Sequence, residues 1–357
     1  MGAVMKPVKS LNYGPLKTLL SSAEMTEVMV NAWNKIFVEH KGLLVQTASR
    51  FIDEREFQDL VYAILIQDGK DLASSYSFDG ILPEGHRYNI TLPPLTPHSA
   101  TLTIRKFSTQ VFTLDDLVKD NFVSQRAADF LRSAVESRLS LVVSGGTGTG
   151  KTSFLNCLSQ YIPEDQRVVS IEDTQELKPL HINWIPMLTV KKEGLKMSAR
   201  DCVVNALRMR PDRIIVGECR GPEAFDMLQA MNTGHEGSMT TVHANSALDG
   251  LARLETLITL GHAELPLKHI RHQMSQAIDL VIQLRRQSNG QRQIVEILEL
   301  TGMQGDVISR SNIFELNKKG QLDVTGYVPR CLDKMQQAGS KFKSNYFDPH
   351  VAYKKAG

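Results

Sequence analysis

The chain has 357 residues, of which 42% are hydrophobic and 22% charged, and its formal net charge is only +2. This composition is typical of a folded protein of two or three domains, and it excludes both a disordered tail and a surface built throughout to bind polyanions. No apolar run approaches the roughly 18–20 residues that a membrane-spanning helix needs, and no secretory signal is expected. Four scattered cysteines favour neither a disulfide framework nor a thiolate zinc site. We therefore expect a soluble protein of a reducing compartment.

Residues 1–107 mix helical and strand patterns, and they predict an α+β domain. Residues 22–27 look like the start of a helix, and residues 54–66 carry a helical apolar stripe. Two short segments, 88–92 and 101–105, alternate between apolar and polar residues as strands do.

Residues 108–116 predict a linker, and the pattern over residues 117–330 then alternates short apolar strands with helices. Such alternation implies a mostly parallel sheet that helices cover on both faces. Beyond residue 279, two strand patterns flank Asn289-Gly290, which predicts a hairpin. The other candidate elements are strands at 141–144, 167–171, 213–216 and 238–242 and helices at 127–135, 153–161 and 224–231.

The last segment, residues 331–357, holds five lysines and two aspartates and predicts a loosely attached basic tail. Two interpretations stay open for its lysines. They either contact anionic lipid or a partner, or they belong to a plain solvated terminus. The residues concerned include Lys341, Lys343, Lys354 and Lys355.

The strongest motif is a glycine-rich loop that matches G-x-x-x-x-G-K-[ST], after a predicted strand and before a predicted helix. The glycines let the backbone wrap a phosphate with its N–H groups pointing inward, and the following helix adds the positive end of its dipole. Lys151 is expected to reach the β- and γ-phosphate oxygens, and the hydroxyl group of Thr152 to bind Mg²⁺. The predicted nucleotide-binding residues of this loop are Gly145, Gly146, Thr147, Gly148, Thr149, Gly150, Lys151, Thr152 and Ser153.

A second element is typical of a Walker B strand. An apolar strand at residues 214–216 is followed by Gly217 and Glu218. Because Gly217 stands where an aspartate is usual, Glu218 is expected to serve the metal as the only acid, together with Thr152. The alternative is an ordinary strand that ends in an exposed glutamate.

Four segments, in this order along the chain, resemble the secretion ATPase superfamily, the motors of type II and type IV secretion and of type IV pili. The closest resemblance is to the tight-adherence ATPases that drive Flp-type pili. It implies an α/β fold, with an N-terminal α+β domain followed by a RecA-like P-loop ATPase domain that binds ATP and Mg²⁺. The segments are the glycine loop at 144–152, an Asp box at 170–176, an arginine-containing segment at 205–221 and a His box at 233–245.

Hydrolysis of ATP needs an acid near the γ-phosphate that orients or deprotonates water. Glu176 holds the matching position at the end of the Asp box and is our first candidate for the base, with Glu172 and Glu218 as second candidates. Isolated from the motif, the acids of the Asp box would be interpreted as a solvated loop. The predicted catalytic residues are Glu176, Glu218, Lys151, Glu172, His243 and Arg220.

Arginines and histidines complete the predicted site. The resemblance implies that some arginines reach the nucleotide phosphates from the same or a neighbouring subunit, whereas the alternative is that they support the sheet edge or form salt bridges. The candidates are Arg105, Arg208, Arg210 and Arg220. His235 and His243 are eight residues apart, which fits neither a helical metal pair nor a zinc finger. A contact with the γ-phosphate and a place in the core stay open for both.

The resemblance implies a homo-hexamer in the cytoplasm, at the inner face of the bacterial inner membrane, that powers pilus assembly or protein secretion by moving its two domains. Inner-membrane platform proteins are the implied partners, membrane contact is expected only through them, and no nucleic acid is expected. One alternative is a helicase or nucleic-acid translocase, against which stands an aromatic content of only 6%. The other is a non-catalytic nucleotide switch, against which stands the complete set of Lys151, Thr152, Glu176 and Glu218.

Overall fold

The computed structural model describes residues 11–40, 42–107, 111–178, 180–192, 195–351 and 353. The chain divides into two compact units. The first unit comprises Met1–Gln110 together with Ser288–Gln291, and the second comprises Val111–Gln287 together with Arg292–Gly357.

An antiparallel sheet forms the first unit. Its helices and strands, over the described residues, are α1 (Leu16–Ser21), β1 (Met25–Ala32), β2 (Lys35–His40), β3 (Leu43–Gln46), α2 (Glu54–Gln67), β4 (Ser77–Ile81), β5 (Arg87–Thr91) and β6 (Thr101–Arg105). The strands follow the order β3-β2-β1-β6-β5-β4, and each neighbouring pair is antiparallel. Alternate side chains of β1 and β6 pack with the apolar stripe of α2 in one core, which therefore has a single-sided sheet pattern.

Three of the four elements predicted in the first unit are confirmed. Helix α2 begins after Asp53, whose side chain accepts a hydrogen bond from the backbone N–H of Glu56, and strands β5 and β6 lie where the alternation places them. The helix predicted from residues 22–27 is wrong, because strand β1 begins at Met25. Since β1 lies between β2 and β6, its hydrogen bonds to both neighbours and its buried valines override the local helical pattern.

A larger sheet forms the second unit. Its strands are β7 (Leu141–Gly145), β8 (Val168–Glu172), β9 (Trp184–Leu188), β10 (Val190–Lys192), β11 (Leu195–Met197), β12 (Arg213–Val216), β13 (Met239–His243), β14 (Leu280–Arg286), β15 (Arg292–Gln304), β16 (Val307–Leu316) and β17 (Leu322–Val324). Nine of them form one sheet in the order β17-β16-β15-β14-β7-β13-β12-β8-β9, and β10 pairs separately with β11. The pairs from β14 to β9 are parallel, and those that add β15, β16 and β17 are antiparallel.

Helices cover both faces of this sheet. They are α3 (Leu114–Lys119), α4 (Gln125–Glu136), α5 (Lys151–Ser159), α6 (Ala199–Ala206), α7 (Glu223–Asn232), α8 (Ala247–Gly261), α9 (Leu267–Ala277) and α10 (Cys331–Gln337), with a 3₁₀ turn at Ser344–Phe347. Leu141 and Val143 of β7 belong to one core with α4 and α5, whereas Val142 belongs to the other core with α6 to α9. Burial on both faces explains why β7 is apolar throughout its first three residues. The predicted fold class, an α+β unit followed by a mostly parallel α/β unit, is confirmed.

The predicted linker extends too far. Residues 108–110 lie outside the described residues, but helix α3 already begins at Leu114. The Thr113 side chain accepts a hydrogen bond from the backbone N–H of Asp116, and the Asp116 carboxylate accepts one from the backbone N–H of Thr113. This capping box and the complete burial of Leu114 make residues 114–116 part of the second unit.

The prediction of a loosely attached C-terminal tail is wrong for residues 331–351 and 353. Leu332, Met335 and Phe347 are buried in the same core as α4. The rings of Phe347 and Phe130 meet edge to face, with their centroids 5.8 Å apart. The lysine count concealed these apolar residues, although only Lys341 and Lys343 among the described lysines of this segment are exposed. Lys354 and Lys355 lie outside the described residues.

The four cysteines are free and buried. They are Cys157, Cys202, Cys219 and Cys331. Among the helices of the described residues, none combines the length and the apolar character that crossing a lipid bilayer requires.

Candidate nucleotide-binding site

The glycine loop connects the end of β7 to the start of α5, as the motif predicts. Gly148 and Gly150 have φ angles of +70° and +91°, which residues with a side chain rarely adopt. At Gly145, an added Cβ would lie 2.6 Å from the Thr149 Oγ1 and 3.2 Å from the Leu284 Cβ. The tight turn therefore requires glycine at these positions, and it leads the backbone directly into the positive end of a helix.

Lys151 turns back onto this loop. Its ammonium group donates hydrogen bonds to the carbonyl oxygens of Gly145 and Gly146, at 3.0 Å each. The Thr149 hydroxyl donates to the same carbonyl of Gly146 at 2.9 Å. A positive charge is thus held against the loop whose N–H groups are suited to an anion.

Strand register brings further predicted residues to the loop. Strands β13 and β14 flank β7 in parallel, with His243 and Leu284 opposite Gly145. His243 therefore ends its strand beside the start of the loop, and the backbone N–H of Ala244 donates to the Gly145 carbonyl at 3.3 Å. Asn245 continues this edge, because its Oδ1 lies 3.9 Å from where a Cβ on Gly146 would be.

The predicted Walker B acid lies at the same edge of the sheet. Strand β12 runs parallel to β13 and ends at Val216, two residues before Glu218. Arg220 holds the Glu218 carboxylate, with its Nε and Nη2 atoms 2.8 Å and 2.6 Å from the Oε2 atom. The same guanidinium lies 3.6 Å from a carboxylate oxygen of Asp173. Arg220 therefore links the ends of β12 and β8 through ion pairs.

The Asp box begins within β8 and continues past its end. Glu172 is the last residue of that strand and is buried, and burial raises the pKa of its carboxyl group to about 7. Its Oε1 atom accepts hydrogen bonds from the backbone N–H groups of Glu176 and Leu177, at 3.0 Å each. The two glutamates of the Asp box thus differ in environment, since Glu172 is enclosed and Glu176 is partly exposed.

Three predicted residues lie at the opposite edge of the sheet. His235 precedes β13 and contacts the Ala230 carbonyl, whereas Met239, the first residue of β13, pairs with Leu141 at the start of β7. Arg208 and Arg210 precede β12 and are exposed. Within one chain, therefore, the structure does not bring these three residues to the glycine loop. His235 and His243 belong to one sequence motif, but His235 precedes the start of β13 and His243 is its last residue, and this strand of five residues is roughly 16 Å long.

Arg105 belongs to the first unit. It ends strand β6, is exposed, and has its Nε atom 4.0 Å from a carboxylate oxygen of Glu27.

Two arginines beside the loop were not among the predicted site residues. Arg286 ends β14 and pairs across the hairpin with Arg292. A guanidinium nitrogen of Arg286 lies 3.2 Å from the position that a Cβ on Gly148 would take, and the Cδ of Arg292 lies 3.8 Å from that of Gly150. In the sequence, Arg286 could be recognised only as a basic residue at the end of an apolar strand. It lies beside the loop because β14 pairs in parallel with β7.

The residues fit a magnesium nucleotide. Glycines with positive φ, a helix start and a lysine form an anion cradle, and Thr152 and Glu218 supply a hydroxyl and a carboxylate. Mg²⁺ is usually bound through one or two carboxylates together with substrate phosphates rather than by a cage of protein ligands. The described residues contain no group of three or more His, Cys, Asp or Glu side chains arranged to hold a metal.

Comparison with known proteins gives consistent results. The family model described as "Type II/IV secretion system protein" matches residues 9–320. A putative conjugal transfer protein of Mycobacterium tuberculosis is 34% identical over 304 residues, which cover 82% of this chain and 86% of the relative. The type IV secretion system protein PtlH of Bordetella pertussis is 33% identical over 308 residues, covering 76% and 86%. The ATPase DotB of Legionella pneumophila has a similar fold, with a TM-score of 0.58 and 22% identity over 82% and 83% of the two chains.

Proposed function

The chain belongs to the type II/IV secretion system protein family, and from this membership we propose that it hydrolyses ATP with Mg²⁺ to drive a secretion or pilus-assembly machine of the bacterial envelope. The main support is the common edge at which β7, β8, β12 and β13 end. A phosphate cradle with its lysine follows one strand, and acids follow two of the others. Ligands of open α/β sheets bind at the carboxyl ends of the strands.

Each residue has a distinct task in this proposal. The loop N–H groups and Lys151 bind the β- and γ-phosphates, and Thr152 and Glu218 hold Mg²⁺. When bound, the metal ion neutralises charge on the phosphate oxygens. Glu176 orients the attacking water and accepts its proton, and Arg220 keeps the Glu218 carboxylate in one orientation through two hydrogen bonds.

The finer parts of the proposal concern assembly. We place six copies of the chain in a ring in the cytoplasm, at the inner membrane, with platform proteins as partners and no nucleic acid. A Flp-type pilus is the proposed machine. Because Arg208, Arg210 and His235 lie away from the loop of their own chain, we propose that they act on the nucleotide of a neighbouring copy. Arg105 contributes from the first unit, and His243 contacts the γ-phosphate.

An ATPase assay tests the proposed chemistry. Lys151→Ala removes the charge that binds the phosphates, and Glu176→Gln removes the base but keeps its shape. We expect turnover with Mg²⁺ to fall by roughly 10²-fold or more in both variants. Only Lys151→Ala is expected to weaken the binding of ATP, because Glu176 acts on water rather than on the phosphates.

Lys343→Ala is the matched control, because Lys343 is an exposed lysine of the C-terminal segment. It should retain the turnover of the unchanged protein. Unchanged turnover in Lys151→Ala and Glu176→Gln would refute the assigned chemistry. Turnover that single-stranded DNA stimulates, with tight and salt-sensitive DNA binding, would favour a nucleic-acid translocase instead.

A further inference from the structure

Glu172 occupies an unusual place in the Asp box, because its side chain points into the protein while acting on the loop that follows. It ends β8, and its relative exposure is only 6%. One carboxylate oxygen accepts the backbone N–H groups of Glu176 and Leu177, four and five residues further along the chain. A single carboxylate therefore holds the loop from Glu172 to Glu176, the proposed base, in one conformation.

The far side of this segment has an anchor of its own. The backbone N–H of Lys178 donates to the side-chain oxygen of Asn156 at 2.8 Å. Asn156 is buried on α5, the helix that begins at Lys151 of the glycine loop. Glu176 thus lies between an attachment to the strand and an attachment to the phosphate-binding helix.

Gly217 makes room for the buried carboxylate. A Cβ at this position would lie 3.0 Å from the Cγ of Glu172 and 3.5 Å from the Oε1 atom. The neighbouring strands β8 and β12 run in parallel, so both residues stand at the same end of the sheet. The glycine found in place of the usual Walker B aspartate is therefore explained by the side chain that it accommodates.

We propose that Glu172 is a positioning residue, which fixes the segment carrying Glu176 relative to the glycine loop, and that Gly217 is required for this role. The inference rests on the function proposed above, since it assigns Glu176 as the base. Glu172 acts through the backbone and does not itself contact the nucleotide or the attacking water. A base misplaced by even 1 Å is enough to lower a rate roughly 10²-fold.

The free energy of burying the Glu172 carboxylate also favours a functional rather than a merely structural role for this residue. Among the described residues, the second carboxylate oxygen of Glu172 is buried without a hydrogen-bond partner. Such burial is unfavourable for the ionised form, yet a carboxylate makes stronger hydrogen bonds to N–H groups than a neutral oxygen does. An amide at this position retains an oxygen that can accept the same two bonds, which makes glutamine the conservative replacement.

Steady-state kinetics of Glu172→Ala and Glu172→Gln, with Mg²⁺ held constant, test the proposal. We expect kcat of Glu172→Ala to fall roughly 10²-fold while KM and the Kd of a non-hydrolysable ATP analogue change by less than about threefold. Glu172→Gln should restore kcat to within about fivefold of the unchanged protein, because it keeps the acceptor oxygen. Gly217→Ala should resemble Glu172→Ala, and Glu164→Gln, at an exposed glutamate before the other end of β8, is the control.

Amide hydrogen exchange without nucleotide gives a measurement that does not depend on turnover. The amides of Glu176 and Leu177 should exchange at least about tenfold faster in Glu172→Ala than in Glu172→Gln, because each loses its acceptor only in the former. If exchange changes in this way but the unchanged protein does not hydrolyse ATP, only the proposed ATPase function is refuted. The role of Glu172 in fixing this segment would then stand.

Three outcomes would overturn the positioning role. The first is wild-type kcat in Glu172→Ala. The second is an equal loss of kcat in the alanine and glutamine variants, which would make Glu172 itself the chemical base. The third is unchanged amide exchange at Glu176 and Leu177 in Glu172→Ala, provided that its unfolding temperature shows a folded protein.

Discussion

At the scale of single residues, the carboxyl group of Glu172 shows how a site can be built at the expense of stability. Burial raises its pKa from 4.5 to about 7, even though two backbone N–H groups favour the ionised form. The folded protein therefore holds the ionised carboxylate less readily than the unfolded chain does. Positions of this kind are common where function rather than stability decides the residue.

This difference predicts a pH dependence of stability. Below about pH 4.5 the group is protonated in both states, so its full contribution to stability is present, and the contribution is lost as the pH rises to about 7. The complete loss corresponds to roughly 3 kcal/mol of unfolding free energy. Because Glu172→Gln cannot ionise, its stability relative to the unchanged protein should rise by about 2 kcal/mol between pH 5 and pH 8.

Urea unfolding of both proteins at the two pH values, without nucleotide, measures this change. Other titrating groups are the same in both proteins, so the difference between them isolates Glu172. A difference that is equal at pH 5 and pH 8 would contradict the assigned pKa.

At the scale of helices and strands, local patterns predicted the elements around the glycine loop but not the attachments of the C-terminal segment of the second unit. The strand, loop and helix around Lys151 follow from apolar runs and glycines that are adjacent in the sequence. Phe347, by contrast, packs against Phe130 and belongs to the core that also contains Phe314. Those partners are distant in the sequence, so no local pattern reveals them.

Because the ring of Phe347 is buried, we expect the 3₁₀ turn that carries it to stabilise the fold. Phe347→Ala should lower the unfolding free energy by about 3–5 kcal/mol, since it removes a fully buried aromatic side chain and leaves a cavity. Lys343→Ala, at an exposed position in the same segment, should change it by less than about 0.5 kcal/mol. Chemical denaturation measures both. A loss of less than about 1 kcal/mol in Phe347→Ala would show that this segment adds little to the fold.

At the scale of the whole molecule, the sequence predicts which chemical groups form the site but not how the strands order them. The glycine loop and the acid after β12 were predicted from residue types and spacing, and the Asp box from the resemblance to a known family. That His243 and Arg286 lie beside the loop follows only from the parallel neighbours of β7, because strand pairing joins distant parts of the chain. The same pairing places His235 at the other end of β13, although it belongs to the same motif.

The positions of Arg208, Arg210 and His235 lead to a prediction about assembly. If these residues serve the nucleotide of a neighbouring copy, ring formation and turnover depend on each other. We expect analytical ultracentrifugation to show a hexamer with a non-hydrolysable ATP analogue. Arg210→Ala should lower turnover at least tenfold while leaving nucleotide affinity of the isolated chain within about threefold.

Mixing provides the control for this prediction. Inactive Lys151→Ala chains, which keep their arginines, should partly restore the activity of Arg210→Ala chains in mixed rings. A chain that stays monomeric at every nucleotide and protein concentration tested would refute the proposed ring.

The burial of the four native thiols has a practical consequence. Burial raises the pKa of Cys157 and Cys219 to about 12 and also raises that of Cys331, so few of these sulfurs are nucleophilic near neutral pH. A cysteine introduced at an exposed position would react with a maleimide dye well before them. Fluorophores attached in this way, one on each unit, can test the proposed movement of the units in a protein that keeps all its natural cysteines.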